Sequence, residues 1–354
     1  MKPPSFLYEF VFIRTCRPGS VLLLNISKKE KEYTAMNEVL EKIQKTGIVP
    51  VVVLDDARDA APLARALCEG GLPCAEVTFR TEAAEESIRI MTAEYPQMLV
   101  GAGTVLTPGQ ADRAVGAGAQ FIVSPGLNPA VVTHCLKKGI TVIPGVCTPS
   151  EVETAIALGL SVVKFFPAEQ AGGIPMIQAL AAPYTQMRFM PTGGIHAQNV
   201  NSYLAYDRVL ACGGSWMVKK ELIAAGEFDK IRDLTKEAVQ TMLGFTLAHV
   251  GINCENETEA GITADTFGRL FGFTKDERST AVFAGNAIEA MKAPGRGTKG
   301  HIAIAANSVA RARNYLEMMG VSFDESSAKY QDGMLKFIYL SDEPGGFAVH
   351  LTQK

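Results

Sequence analysis

The chain has 354 residues, of which 47% are hydrophobic and 20% charged, with a formal net charge of −3. That balance excludes wholesale disorder, and a charge so close to zero gives no electrostatic footprint for a nucleic-acid partner. Seven cysteines are scattered without a CxxC pair, so neither a disulfide framework nor a zinc ribbon is expected, and a reducing cytoplasm fits.

No apolar run reaches the roughly 18 residues of a membrane span. Glu9, Arg14 and Arg17 interrupt the apolar residues near the N-terminus, so no secretory signal is expected. Residues 1–35 hold no helical or strand period. The codons of Lys31 to Met36 (KEYTAM) can contain AAGGAG shortly before ATG, a ribosome-binding sequence read as protein. The expectation is a leader over 1–35 that is disordered or not translated, with Met36 as the start.

From residue 48 a regular alternation begins. Strands are predicted at Ile48–Leu54, Cys74–Arg80, Met98–Val105, Phe121–Gly126, Thr141–Val146, Val162–Ala168, Arg188–Gly194 and Arg208–Ser215. Helical periodicity fills the gaps, as over Ala57–Gly70 and Glu82–Tyr95, with glycines such as Gly71, Gly118, Gly139 and Gly159 as helix stops. Eight strand–helix units predict a (β/α)8 TIM barrel over 36–244. An open doubly wound sheet fits less well, because its first turn would need G-x-G-x-x-G and its usual strand number is smaller.

After Gly244 the pattern changes. A strand (246–252), a helix (Ala264–Phe271) and strands at Ser279–Phe283 and Ala287–Met291 are predicted. The order then recurs with Gly300–Ala305, Val309–Met319, Leu335–Leu340 and Phe347–Leu351. Pro294-Gly295-Arg296-Gly297 separates the copies. Residues 245–354 therefore read as a smaller α+β domain of two duplicated units.

Barrels place chemistry where strands end. In the second strand Glu76, Thr78 and Arg80 alternate with Val77 and Phe79, which directs the charged face into the barrel. Opposite charges there are costly unless they act, although a rigidifying Glu–Arg pair is the bland alternative. In the sixth strand Lys164 stands among Val162, Val163, Phe165 and Phe166. A snorkelling lysine is the bland alternative. A desolvated one supplies neutral amine near pH 7, which imine formation with a ketone requires. Thr104 follows two small residues, and the pairs Gly193-Gly194 and Gly213-Gly214 end strands seven and eight, where barrels commonly seat a phosphate.

These segments carry a resemblance. EVTFRT (Glu76–Thr81), GAGTVL (Gly101–Leu106), Ser124-Pro125-Gly126, KFFPAE (Lys164–Glu169), PTGGI (Pro191–Ile195) and GGSW (Gly213–Trp216) resemble the 2-keto-3-deoxy-6-phosphogluconate (KDPG) / 4-hydroxy-2-oxoglutarate (KHG) aldolase family over residues 37–243. The resemblance implies a Schiff-base aldolase without cofactor, acting on small molecules and assembling as a homotrimer. It implies that Lys164 forms the imine and Glu76 is the general acid/base. Arg80 and Thr104 would hold the substrate carboxylate, with Pro125, Phe166 and Thr192 lining the pocket. Gly193, Gly194, Gly214 and Ser215 would bind the phosphate.

Of five histidines, His134 and His196 read as ordinary surface residues. His249 and His301 occupy first strands of the two C-terminal copies, and Glu289 and His350 the last strands. This region resembles the vicinal-oxygen-chelate (glyoxalase-like) superfamily of paired βαβββ modules. The resemblance implies a divalent metal held by His249, Glu289, His301 and His350, with His350 where many relatives have Glu. A packing module or a metabolite sensor without catalysis is the alternative for this domain. For the barrel the alternatives are a phosphosugar isomerase or synthase and a non-catalytic binding protein.

Overall fold

The computed structural model describes residues 38–354, and the leader expected over 1–35 lies outside them. Helix α1 (38–46) leads into alternating strands and helices. These are β1 (Ile48–Val52), α2 (Ala60–Glu69), β2 (Cys74–Thr78), α3 (Ala84–Glu94), β3 (Leu99–Gly103), α4 (Pro108–Gly116), β4 (Phe121–Val123) and α5 (Pro129–Lys137). The expected fifth strand is broken into β5 (Thr141–Ile143) and β6 (Gly145–Val146), separated by Pro144, which has no N–H to give a ladder. Next come α6 (Pro149–Ala157), β7 (Val162–Phe165), α7 (Gly173–Ala181), β8 (Arg188–Pro191), α8 (Val200–Leu204) and β9 (Cys212–Gly214). Helices α9 (Lys220–Ala224) and α10 (Phe228–Leu243) complete the unit.

All its strand pairs are parallel, in the orders β5-β4-β3-β2-β1-β9 and β6-β7-β8. The bridges Phe189↔Val209 and Thr192↔Gly213 tie β8 to β9. The domain is TIM-barrel-like. Its helix starts follow local chemistry: Thr107 with Gln110, and Thr148 with Glu151, form capping boxes ahead of α4 and α6, each with Pro at the first turn. Gly71, Gly118, Gly139 and Gly159 adopt positive φ after their helices, as expected of stops. Inside the strands, Val49, Leu99, Phe121, Ile143, Val162 and Met190 form an apolar plug on which Val39 and Leu40 of α1 pack. The polar interior is thereby confined to the C-terminal ends of the strands.

The second domain is a mixed sheet in the order β11-β12-β13-β10-β14-β17-β16-β15. Its elements are β10 (Thr246–Asn253), α11 (Glu257–Phe271), β11 (Lys275–Glu277), β12 (Ala281–Ala284) and β13 (Ile288–Met291), then β14 (Gly300–Ala306), α12 (Val309–Met318), β15 (Phe323–Gln331), β16 (Met334–Leu340) and β17 (Phe347–Gln353). Strand β10 is parallel to β13 as β14 is to β17, and β10 and β14 meet antiparallel at the centre.

Three departures from the sequence expectation have local causes. Helix α11 starts at Glu257 rather than Ala264 because the Asn256 side chain caps it, accepting from the Glu259 N–H at 3.0 Å. Strands β11 (KDE) and β15 (FDESSAKYQ) carry no apolar alternation, and as the two edges of the sheet they need none. Strand β2 ends at Thr78 rather than Arg80.

Leu335, Ile338 and Leu351 of the sheet join Val309 and Ala312 of α12 in an apolar core continuous with that of the barrel. Arg311 reaches across, its Nε donating to the Gln44 carbonyl and its Nη2 to the Leu210 carbonyl, both at 3.2 Å. Gly47 makes room for it: a Cβ there would lie 2.9 Å from Arg311 Cδ, and φ is +75°.

Candidate functional site

Lys164 is held inside the barrel by β7, whose backbone there donates to the Pro144 carbonyl at 2.8 Å. The side chain is almost wholly enclosed, and Nζ donates to Glu76 Oε1 at 3.2 Å. Glu76, on β2, is 1% exposed. Its second oxygen, Oε2, has no hydrogen-bond partner among the described residues. The Phe166 ring lies beside the amine, with Nζ 5.4 Å from its centroid. A bare Gly103 accommodates the carboxylate, since a Cβ there would stand 2.2 Å from Glu76 Oε1. An ion pair this enclosed is costly to build, so its presence points to chemistry more than to stability.

The inward-facing position expected for Arg80 is corrected by this geometry, and the bland alternative of a Glu76–Arg80 pair is not seen. Because β2 stops at Thr78, Arg80 turns out at the rim and is exposed, and Glu76 pairs with Lys164 instead. Arg80 makes no ion pair among the described residues, which leaves its guanidinium available to a ligand. Thr104, directly after β3, is a β-branched residue at φ +57°, a conformation that strains such side chains by roughly 1–3 kcal/mol and clusters at functional sites. Pro125, after β4, packs its carbonyl against β6, where a Cβ at Gly145 would approach it to 2.0 Å. Thr192 is buried with Oγ1 unpartnered, and Gly213 supplies the space beside it.

Gly193 and Gly194 both have positive φ, at +101° and +79°. Their N–H groups, and that of Ser215, donate to no acceptor among the described residues. Gly214 leaves room for the Trp216 ring. The expected barrel residues therefore stand at or just beyond strand ends, with Glu76 and Phe166 beside the buried Lys164 amine.

Two residues at this rim are not singled out by the sequence reading. The Glu169 N–H donates to the Gly193 carbonyl at 3.1 Å, and its side chain lies under Gly194, where a Cβ would meet Cγ at 2.5 Å. Buried Tyr203 donates its hydroxyl to Glu169 Oε1. Burial and the adjacent carboxylate raise the Tyr203 phenol, so it acts as a donor. Glu169 could have been found from its place five residues after Lys164. A lone tyrosine on a helix gives no such signal.

The C-terminal candidates also converge. His249 Nε2 and His301 Nε2 are 3.2 Å apart, and each lies 3.0 Å from Glu289 Oε2. His350 joins them, with ring centroids 5.6 Å from His249 and 5.4 Å from His301. One nitrogen from each of the three histidines falls within 4.8 Å of the others.

Burial alone would raise the Glu289 carboxyl, but hydrogen bonds from His249 and His301 hold it down at about 2. Burial, followed by the charges of His301 and His249, pushes His350 down to about 4. The cluster thus offers an anionic oxygen and an unprotonated imidazole, with His350 Nδ1 unpartnered. Donors 3.0–3.2 Å apart suit one shared ion, because ligands about 2.1 Å from a metal at near-right angles are separated by roughly that distance. His134 and His196 play no part: His134 pairs with Asp112 at 2.8 Å on the surface, and His196 is exposed.

A family model of KDPG and KHG aldolases matches residues 39–234, more than half of the chain. The chain belongs to that family. A 2-dehydro-3-deoxy-phosphogluconate aldolase of Treponema pallidum is 53% identical over 205 residues, covering 58% of this chain and 98% of the relative. A KHG/KDPG aldolase of Escherichia coli is 46% identical over 201 residues, covering 56% and 94%. Among solved structures, KDPG aldolase of Legionella pneumophila, with pyruvate captured as a covalent carbinolamine, is 39% identical with a TM-score of 0.55, covering 56% of this chain and 97% of that one. The barrel is a class I KDPG/KHG aldolase, a carbon–carbon lyase. No helix among the described residues is long and apolar enough to cross a membrane.

Proposed function

We propose that residues 36–244 cleave KDPG to pyruvate and glyceraldehyde 3-phosphate, KHG to pyruvate and glyoxylate, or both, through an imine on Lys164. The observation that carries this reading is the buried Lys164 amine 3.2 Å from the buried Glu76 carboxylate. Enclosure with one carboxylate partner lets the amine pass its proton on and attack the C2 ketone of the substrate. The carbinolamine loses water to a protonated imine. Glu76, through a bound water, takes the C4 hydroxyl proton, and the C3–C4 electron pair moves into the imine as the aldehyde departs. The enamine takes a proton at C3, and water then releases pyruvate and the free amine. Pyruvate captured as a carbinolamine in the Legionella relative supports this order of events.

In this reading Arg80 and Thr104 hold the substrate carboxylate, while Pro125, Phe166 and Thr192 line the pyruvate pocket. Gly193, Gly194, Gly214 and Ser215 receive the phosphate, and the free N–H groups at three of these positions support that role. No metal is needed for these steps. A homotrimer belongs to the same proposal, and light scattering checks it. The deciding experiment is reduction with borohydride in the presence of pyruvate. One adduct at Lys164 is expected. An active Lys164→Met enzyme would overturn the assignment.

For residues 245–354 we propose a metal-binding domain of paired βαβββ modules related to the vicinal-oxygen-chelate superfamily. His249, Glu289, His301 and His350 would hold a divalent ion, which when bound would act as a Lewis acid. The chain's own contribution is the anionic carboxylate of Glu289 and, at His350, an imidazole kept unprotonated by burial. Stoichiometric metal in the purified protein and its loss in His301→Ala are expected. A packing or sensing module would show no metal.

A further inference from the structure

A cleft of about 920 Å³ opens between the barrel and the C-terminal sheet. On one side stand α1, β8 and the residues just ahead of β9, on the other α12 and β16. Arg188 opens β8, two residues before Met190, which pairs with Lys164. The cleft therefore lies at the N-terminal ends of the strands, and the apolar plug containing Met190 and Val162 separates it from the buried amine. The proposed aldolase steps make no use of it.

Gln44 gathers two guanidiniums in this cleft. Its side-chain oxygen accepts from Arg188 Nη1 at 3.0 Å, and its carbonyl accepts from Arg311 Nε at 3.2 Å. Arg188 belongs to the barrel and Arg311 to α12, so one residue holds a cation from each domain. Beside them Arg208 donates to the Thr185 carbonyl. All three arginines are half-buried, and every acceptor they use is neutral. None of them makes an ion pair among the described residues. Nε and Nη2 of Arg188 and Nη1 of Arg311 make no hydrogen bond there either, which leaves these donors to a ligand.

The charge in the cleft is uncompensated. Burial, followed by the Arg208 charge, lowers Arg188, and burial lowers Arg311, to which the Arg188 charge adds. Three acids line the cleft. Glu317 is taken by Arg313 at 2.8 Å. Glu41 and Asp207 form no ion pair with Arg188 or Arg311, although the Asp207 charge partly steadies Arg188. Lys45 and Lys336 bring two further cations without ion-pair partners among the described residues. Like charges held together by neutral carbonyls, away from bulk water, cost stability unless an anion joins them.

That anion must match planar, forked donors and several charges at once. Guanidinium forks fit carboxylate and phosphate alike, but a phosphate ester brings about −1.5 to −2 charges and three acceptor oxygens in one compact group. The cleft has room for more than that group, within the roughly 300–1,000 Å³ of small-molecule sites. We propose that the cleft between the two domains binds a small phosphorylated metabolite, its phosphoryl group held jointly by Arg188 and Arg311. The bound ligand neutralises the arginines and ties α12 to the barrel.

The test titrates glycerol 3-phosphate, and separately inorganic phosphate, into the full chain by calorimetry. Gln44→Glu puts a carboxylate where the neutral amide sits, which supplies the missing charge without removing an arginine. It should weaken glycerol 3-phosphate in the cleft by at least about tenfold and raise Tm in phosphate-free buffer. Arg188→Met should weaken binding by a similar factor. Lys138→Met removes an exposed cation that pairs with Asp112 outside the cleft, and should leave binding unchanged. Phosphate bound at the strand-end glycines of the barrel is common to all these proteins and cancels in the comparison. Tighter binding of glycerol 3-phosphate than of inorganic phosphate is expected, and equal affinity for the two would overturn the assignment to a phosphorylated metabolite. Isotherms that coincide for the wild type, Gln44→Glu and Arg188→Met would overturn the site itself while leaving the aldolase reading intact. An equal loss in Lys138→Met would do the same.

Discussion

Gly103 offers a way to move the Glu76 carboxylate without touching its chemistry. Its φ is not in the left-handed region, so alanine is conformationally permitted there. The added methyl would, however, lie 2.2 Å from Glu76 Oε1 and 2.7 Å from its Cγ. Relieving that contact requires the carboxylate to retreat by about 1 Å, given ordinary carbon–oxygen separations above about 3 Å. A shift of that size in a positioned catalytic group costs roughly 100-fold in rate, or about 2.7 kcal/mol. General acid–base assistance as a whole supplies roughly 10²–10⁴-fold, which bounds the loss. Overpacking should also lower stability by about 1–3 kcal/mol.

Gly101→Ala is the control, because its methyl would meet the Phe121 ring at 2.3 Å, within the apolar plug below the site. Steady-state kcat/KM and thermal unfolding are measured for both variants at a temperature where both are folded. Gly103→Ala is expected to lose about 100-fold in kcat/KM, and Gly101→Ala to lose stability while keeping kcat/KM within about threefold. Near-normal kcat/KM in Gly103→Ala, or an equal fall in both, would refute the reasoning.

Two further outcomes follow from contacts outside the reacting groups. Tyr203→Phe removes the donor to Glu169, which braces the Gly193-Gly194 turn. KM for KDPG should rise about fivefold with kcat unchanged, using part of the ~1.5–3 kcal/mol of a hydrogen bond to a charged group. Cleavage of KHG, which has no phosphate, should be unaffected, and parallel losses on both substrates would make Tyr203 merely structural. Arg311→Met leaves the Gln44 and Leu210 carbonyls unpaired and should destabilise the chain by about 1–3 kcal/mol, read as a lower Tm, with aldolase kcat unchanged. A higher Tm would mean that burying the guanidinium outweighs its two hydrogen bonds.

Much of the barrel site is legible from side-chain order alone. A lysine within a β-branched and aromatic run, and glycine pairs at successive strand ends, are visible because β structure alternates with period two and parallel barrels repeat. The exposed rim position of Arg80 is not legible there, because alternation gives the face of a residue but not the point at which its strand stops. The polar edge strands β11 and β15 are invisible for a related reason: they form through a neighbour's unpaired backbone, not through their own pattern.

Composition and motif order were sufficient to give the α/β class, the duplicated C-terminal unit and the identity of the chemical groups. Partnership was decided only in three dimensions. Lys164 and Glu76 are 88 positions apart in the chain, and their contact exists because β2 and β7 line one closed interior. Likewise the four metal-ligand candidates meet because β10 and β14 run antiparallel at the centre of one sheet, with β13 and β17 beside them. Register sets which side chains share a face, and register is a property of the pairing of strands rather than of any one strand.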